Sequence, residues 1–403
     1  MNIFVVLGLT MLLIVLLLRW HKPLGLCMLA GGILAWVIQC GDFSVLLQAC
    51  GRTFCQNRTY DLIAALYFVM CLEIELRTSG TLAGLVAILK RMFSSAKVTL
   101  VVMPAFLGML PSLGGARFSA PIVDEASKNL ELTAEHKSAI NFWFRHPAEL
   151  FNPIIPGMIM ACSIAEVPYS EFAQYIAWVS LVYLAVGYFF LIRPIRESEV
   201  KFLEEDETRG SIKDIVLALS PIVLTFLIVV ITNMMASLAM AITVVFLYLA
   251  LCMMKRRVSL HDVIFKAVDR KMFLNILCIL CFINILDDTG ILRSVCEAFE
   301  SAPLPIPVII AVISFVIGIL TGMSQAHVSI VMPIVAAMQT GDLRLASVAM
   351  TFGVMGQMLT PTHMCFVVTL DYFHANIFKT LKPLSCCAAA GLVIVSMMTS
   401  FFL

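Results

Sequence analysis

The chain has 403 residues, of which 61% are apolar and 13% charged, and its mean hydropathy is +0.98. Soluble domains carry about 25% charged residues, so a soluble globular or disordered chain is excluded. A formal net charge of +1 says nothing about partners, no basic run suggests nucleic acid, and the lipid bilayer is the surroundings this composition fits.

In chain order, the first apolar segment is Ile3–Leu18. It lacks a basic n-region and a small-residue cleavage site, so it reads as a retained helix rather than a signal peptide. Ile215–Thr232, Leu238–Met254 and Leu384–Leu403 also approach the roughly 20 apolar residues that a transmembrane helix needs. Leu76–Leu82 (LRTSGTL) closes an apolar helix that starts near Tyr60, and the amphipathic stretch Ala83–Phe93 follows. Next comes a run broken by small and polar residues, LGMLPSLGGARFSAPIV, from Leu107 to Val123, and then a broken helix with FNPIIPG at Phe151–Gly157. The linker Arg193–Lys213, with Glu204, Glu205, Asp206 and Glu207, reads as a solvated connector.

The second half repeats this order. Leu286–Leu292 (LDDTGIL) closes a helix starting near Lys271, and Arg293–Ala302 is amphipathic. The interrupted run is IGILTGMSQAHVSIVMPIV, from Ile317 to Val335, and the second break is LTPTHM at Leu359–Met364. Gly108 and Gly318, Leu110 and Leu320, Ala116 and Ala326, and Ser119 and Ser329 are each 210 residues apart. Such an ordered series at one offset implies an internal duplication.

Basic residues in short loops set orientation. They place Arg19–Lys22, Lys90–Lys97, Lys128–Lys137, the linker and the loop after Met254 inside, so the halves enter the membrane in opposite senses. The expectation is an all-α polytopic membrane protein with ten spanning helices and two re-entrant hairpins. Residues 1–192 form the first inverted repeat, 193–213 the cytoplasmic linker and 214–403 the second repeat. Hairpins are expected at about 97–123 and 305–335, and broken helices at about 138–163 and 343–373, a plan common among secondary transporters.

Polar groups inside apolar helices need a reason, because an ionisable side chain at mid-membrane costs about 2.5–3.5 kcal/mol. Arg145, His146, Glu149 and Asn152 follow i, i+1, i+4 and i+7 spacing, which predicts one helical face ending at a break at Asn152-Pro153. A structural Arg145–Glu149 ion pair is the plainer reading of the same spacing. Arg117, His327 and His363 lie near the same interruptions, and the surplus of Arg and His over Glu149 suits an anionic solute. The 13 cysteines are scattered through apolar segments, and Cys278-x-x-Cys281 has no second pair, so they read as buried free thiols rather than a zinc site.

LPSLGGARFSAPIV, NFWFRHPAELFNPIIPG, GMSQAHVSIVMPI and LTPTHMCFVVTLDYF resemble an uncharacterised integral-membrane family of the ion transporter superfamily, related to gluconate, citrate, dicarboxylate and lactate permeases. The resemblance implies a homodimeric elevator in the cell (inner or plasma) membrane, with no cofactor other than a coupling sodium ion. It implies a first cation or substrate position at Ser112, Gly114, Gly115 and Asn152, and a second at Thr321, Gly322, Ser324, Thr360 and Pro361. The tips read Ser-Leu-Gly and Thr-Gly-Met, not the serine-asparagine-threonine of the dicarboxylate branch, so that branch's specificity and stoichiometry do not carry over.

The function expected is secondary active transport of a small carboxylate-type anion coupled to sodium or protons. A sodium/proton antiporter is the alternative, and an intramembrane hydrolase is the remote one. HExxH and GxGD are absent, and no catalytic residue is assigned.

Overall fold

In the computed structural model, the residues described are 3–93, 95–110, 115–196, 210–232, 234–361 and 363–402, with backbone alone at 4, 115–118 and 400–402. All regular structure among them is helical. The first half runs α1 (Ile3–Arg19), α2 (Leu24–Gln39), α3 (Phe43–Cys55), α4 (Asn57–Thr78), α5 (Thr81–Met92), α6 (Ala96–Met109), α7 (Gly115–Ala126), α8 (Ala134–Arg145), α9 (Pro156–Ala165) and α10 (Tyr169–Gly187). The second runs α11 (Ile212–Thr232), α12 (Ala236–Met253), α13 (Leu260–Lys266), α14 (Arg270–Asp288), α15 (Ile291–Glu300), α16 (Ile306–Thr321), α17 (Ser324–Met338), α18 (Leu343–Gln357), α19 (Met364–Phe373) and α20 (Ile377–Phe402).

Local chemistry fixes these boundaries. The Asp342 carboxylate accepts from the amides of Arg344 and Leu345 at 2.8 and 3.0 Å and starts α18, and Thr133 caps α8 through the His136 amide at 3.2 Å. Gly80 and Gly290 take φ of 75° and 72°, left-handed values that favour glycine, so α4–α5 and α14–α15 turn at matched points of LRTSGTL and LDDTGIL. At the second of these the chain bends by 66°.

The first break departs from the sequence expectation. α8 stops at Arg145, Pro147–Leu150 tightens into a 3-10 turn, and α9 begins only at Pro156. Pro147 has no amide to donate and forces the stop, before Pro153 is reached. Arg145, His146, Glu149 and Asn152 therefore do not share one continuous helical face. The second break runs from Met358 to His363 and contains Thr360 and Pro361.

Glycines let the inner helices touch backbone to backbone. α6 packs on α8 and α16 on α18. A Cβ on Gly108 would collide with the Arg145 carbonyl, and one on Gly318 with the Gly353 carbonyl. α9 lies against α17, α7 against α19, and α10 against α18 and α20, around a core in which Phe142, Trp143, Phe144, Tyr183 and Phe366 are fully buried. The Trp143 indole donates to the Tyr183 carbonyl at 2.9 Å, so even this polar tip is satisfied. Flanking this cluster, α2 packs on α14, α4 on α12 and α5 on α11.

Outward faces are apolar, with Leu9, Leu12 and Leu16 on α1 and Val223, Leu227 and Ile231 on α11 exposed. Such surfaces belong in lipid, where helices satisfy their own backbone. Among the described residues, Tyr169–Ile192, Ile212–Thr232, Ala236–Met253 and Ile377–Thr399 are long and apolar enough to cross a membrane, and seven further apolar helices are shorter, at 10–17 residues. The protein is a membrane protein; a count of ten spans draws on these shorter helices.

Candidate functional site

The two breaks and the second hairpin turn meet in the inner cluster. α6 ends at Met109, whose carbonyl accepts from Asn152 Nδ2 at 2.5 Å, while Asn152 Oδ1 accepts from the Ile154 amide at 3.2 Å. Asn152 is fully buried and stitches the non-helical chain to the end of α6. Gly157, in the first turn of α9, faces Ser324 at the start of α17, where a Cβ would come within 2.7 Å of the Ser324 hydroxyl. Gly322, at φ 66°, makes the two-residue turn from α16 to α17, and its backbone interacts with His363 at the second break.

Arg145, at the end of α8, is 7% exposed. Its Nη1 donates to Ser119 Oγ of α7 at 3.2 Å, and its Nε has no partner among the described residues. The guanidinium interacts electrostatically with both Cys365 and Glu149, but no Arg145–Glu149 ion pair forms among the described residues. Glu149 instead accepts from Gln357 Nε2 at 2.6 Å, which ties the first break to the end of α18. His146 places Nε2 3.1 Å from His363 Nε2 and 3.9 Å from Glu149 Oε1, with its Nδ1 2.6 Å from the Phe142 carbonyl.

The structure thus gathers Arg145, His146, Glu149 and His363 in one buried cluster, with Asn152 beside it. His327 is elsewhere: its ring packs on Gly353 of α18, fully buried, and interacts with the backbone of Ala349 and Ser324. Thr321 donates to the Ile317 carbonyl of its own helix at 2.8 Å, Ser324 lies 3.5 Å from Gln325 Oε1, Thr360 is buried and Pro361 is exposed. Ser112 and Gly114 lie outside the described residues, and Gly115 and Arg117 contribute only backbone at the start of α7.

Sequence reasoning missed Gln357 and Cys365 and gave Ser119 no role at the site. Gln357 was legible as a lone amide two residues before LTPTHM. Cys365 was masked by the twelve other cysteines, most of which do pack as small apolar groups. Asn141, donating to Thr369 Oγ1 at 3.0 Å, clamps α8 to α19 and was also not singled out. A crevice of about 280 Å3, lined by Asp61, Pro153, Ile159, Thr225 and Met240, lies among α4, α9, α11 and α12 and reaches the first break at Pro153.

Residues 4–401 match the family model described as "Protein of unknown function (DUF401)". The chain belongs to this family. In three dimensions this DUF401 protein is similar to the crystal structure of the YdaH transporter from Alcanivorax borkumensis, with a TM-score of 0.58 and 12% sequence identity, over 87% of this chain and 89% of that one. At that identity the likeness is one of fold. No curated protein matches the DUF401 chain in sequence.

Proposed function

We propose that this protein is a secondary active transporter of a small carboxylate-type anion, coupled to sodium or protons. The observation that carries the reading is Arg145: a buried guanidinium with unfilled donor capacity, at the meeting of two helix breaks. A guanidinium offers five donors in a planar fork that matches a carboxylate. Among the described residues that fork meets Ser119, to which Nη1 donates, and the Cys365 sulfur, while its Nε has no partner. The N-termini of α9 and α19 open at the two breaks, and that of α17 at the adjoining Gly322 turn, and favour negative charge, while the ends of α6, α8, α16 and α18 present carbonyls suited to a cation.

The fold supports the same reading. Its similarity is to a protein solved as a transporter. Among the described residues each half has ten α-helices, the turns at Gly80 and Gly290 match, and Gly108 and Gly318 make equivalent contacts with α8 and α18. These features support two inverted repeats, 1–192 and 214–403, joined by the linker 193–213 and related to the permeases of the ion transporter superfamily. An elevator movement of the inner cluster against α1–α5 and α11–α15 is the alternating-access step that this division favours. The crevice at Pro153, between α9 and α4, α11 and α12, is consistent with such a division. We place the protein in the cell membrane as a homodimer.

The test is uptake into proteoliposomes. Wild type should accumulate at least one of a panel of labelled mono- and dicarboxylates under a sodium or pH gradient. Arg145→Lys should lose at least tenfold in uptake while remaining folded, because an ammonium keeps the charge but lacks the fork. Full uptake by Arg145→Gln would overturn the anion reading. Sodium/proton exchange that needs Glu149 and ignores carboxylates would establish the antiporter in its place.

A further inference from the structure

His146, His363 and Cys365 carry a second chemistry. They come from opposite halves of the chain, His146 just after α8, His363 just before α19 and Cys365 in its first turn. One donor atom from each lies within 4.8 Å of the other two. The two histidines are 3% and 7% exposed, and Cys365 is half-buried.

Proton placement shows what the pair is set up to do. His146 Nδ1 lies 2.6 Å from the Phe142 carbonyl, which can only accept, so Nδ1 carries the hydrogen and Nε2 presents a lone pair. That lone pair points at His363 Nε2, 3.1 Å away. If the contact is a plain hydrogen bond, His363 donates from Nε2, and its buried Nδ1 is a bare acceptor with no partner among the described residues. A buried unsatisfied atom of this kind costs about 1–3 kcal/mol.

A metal ion removes the conflict. Both Nε2 lone pairs would then face the ion, and Nδ1 of His363, a ring that interacts with the Gly322 backbone, would be free to carry the hydrogen. The His146 Nδ1–H to carbonyl bond is the outer-shell contact that fixes a ligating histidine in the correct tautomer. Tetrahedral Zn2+ with bonds of 2.0–2.1 Å to nitrogen separates two ligand nitrogens by about 3.3 Å, close to the spacing of this pair. The sulfur must approach by about 1 Å, since the matching nitrogen–sulfur separation is about 3.5 Å. Glu149 Oε1, 3.9 Å from His146 Nε2, is placed to become a fourth donor by side-chain rotation. The Arg145 guanidinium beside Cys365 balances the charge of a thiolate.

We propose that His146, His363 and Cys365, completed by Glu149, form a transition-metal site for a borderline-soft divalent ion such as Zn2+, which clamps the first helix break to the second. Imidazole and thiolate donors select such ions over sodium or magnesium, which prefer oxygen. The site is independent of which solute, if any, is transported.

The experiment uses full-length protein in detergent, stripped with chelator, with the exposed Cys40, Cys55, Cys252 and Cys386 replaced by Ser. It is titrated with Co2+ as a spectroscopic probe. One equivalent should give intense tetrahedral ligand-field bands and a thiolate-to-cobalt charge-transfer band, and Zn2+ should displace both. Cys365→Ser should abolish the charge-transfer band and keep cobalt bound. His363→Gln should weaken binding at least tenfold, with metal-free thermal unfolding confirming that each variant folds. An unchanged charge-transfer band in Cys365→Ser, or no tetrahedral band in the parent protein, overturns the proposal. Because no step reads transport, failure here leaves the anion reading standing, and the reverse also holds.

Discussion

The contact between Gln357 and Glu149 predicts a measurable coupling between the two helix breaks. Gln357 is fully buried at the last turn of α18, and its Nε2 lies 2.6 Å from Glu149 Oε2 in the turn that follows α8. A hydrogen bond to an ionised group contributes about 1.5–3 kcal/mol. Gln357→Leu removes that bond and leaves Glu149 with the longer His146 contact at 3.9 Å and the electrostatic interaction with Arg145. The same change also removes Gln357 Oε1, which has no partner among the described residues and whose burial offsets part of the gain. The net loss for the single variant is therefore about 1–2 kcal/mol, smaller than the bond itself. A double-mutant cycle with Glu149→Leu separates these terms, because the orphaned oxygen is common to both arms. Equilibrium unfolding of the four proteins in mixed micelles should give a coupling energy of about 1.5–3 kcal/mol. A coupling below about 0.5 kcal/mol would refute the reasoning and leave the breaks joined only by packing.

The glycines give a graded test of the inner packing. Gly108→Ala and Gly318→Ala place a methyl against backbone that cannot turn aside, and each should cost about 1–3 kcal/mol in the same unfolding assay. Gly8→Ala and Gly51→Ala, also helical but facing open space, should be neutral or stabilising by up to about 1 kcal/mol. Equal effects at all four positions would argue against close helix crossing. Topology is tested at the linker: with native thiols removed, Glu205→Cys should resist an impermeant maleimide in intact cells and react after lysis. Labelling from outside would invert the orientation drawn from loop charge.

Much of the fold was written in one-dimensional patterns. Hydropathy alone determined the helical, membrane-embedded class, because an apolar segment in lipid must satisfy its own backbone. The repeated turn glycines and the interruption at Thr360-Pro361 were legible because φ above zero and a missing amide are properties of single residues. Arg145, His146, Glu149 and His363 stood out as candidates because charged or polar groups are costly in such segments. The spacing argument failed at Pro147. A face drawn at helical periodicity assumed that the helix continues, and the next residues instead turn through a 3-10 segment.

Only the tertiary structure decided who meets whom. Glu149 pairs with Gln357 rather than Arg145, and His146 meets His363 rather than His327. These partners are 208 and 217 residues apart in the chain. Such contacts depend on how α6 and α16 seat against α8 and α18, a matter of glycine-sized gaps and helix crossings that local propensity does not encode. Cys365 illustrates the same limit. As a sequence letter it was one thiol among 13 in an apolar chain. Beside two facing imidazoles and a guanidinium its chemistry changes, because a sulfur becomes a ligand only when other donors converge on the same point in space.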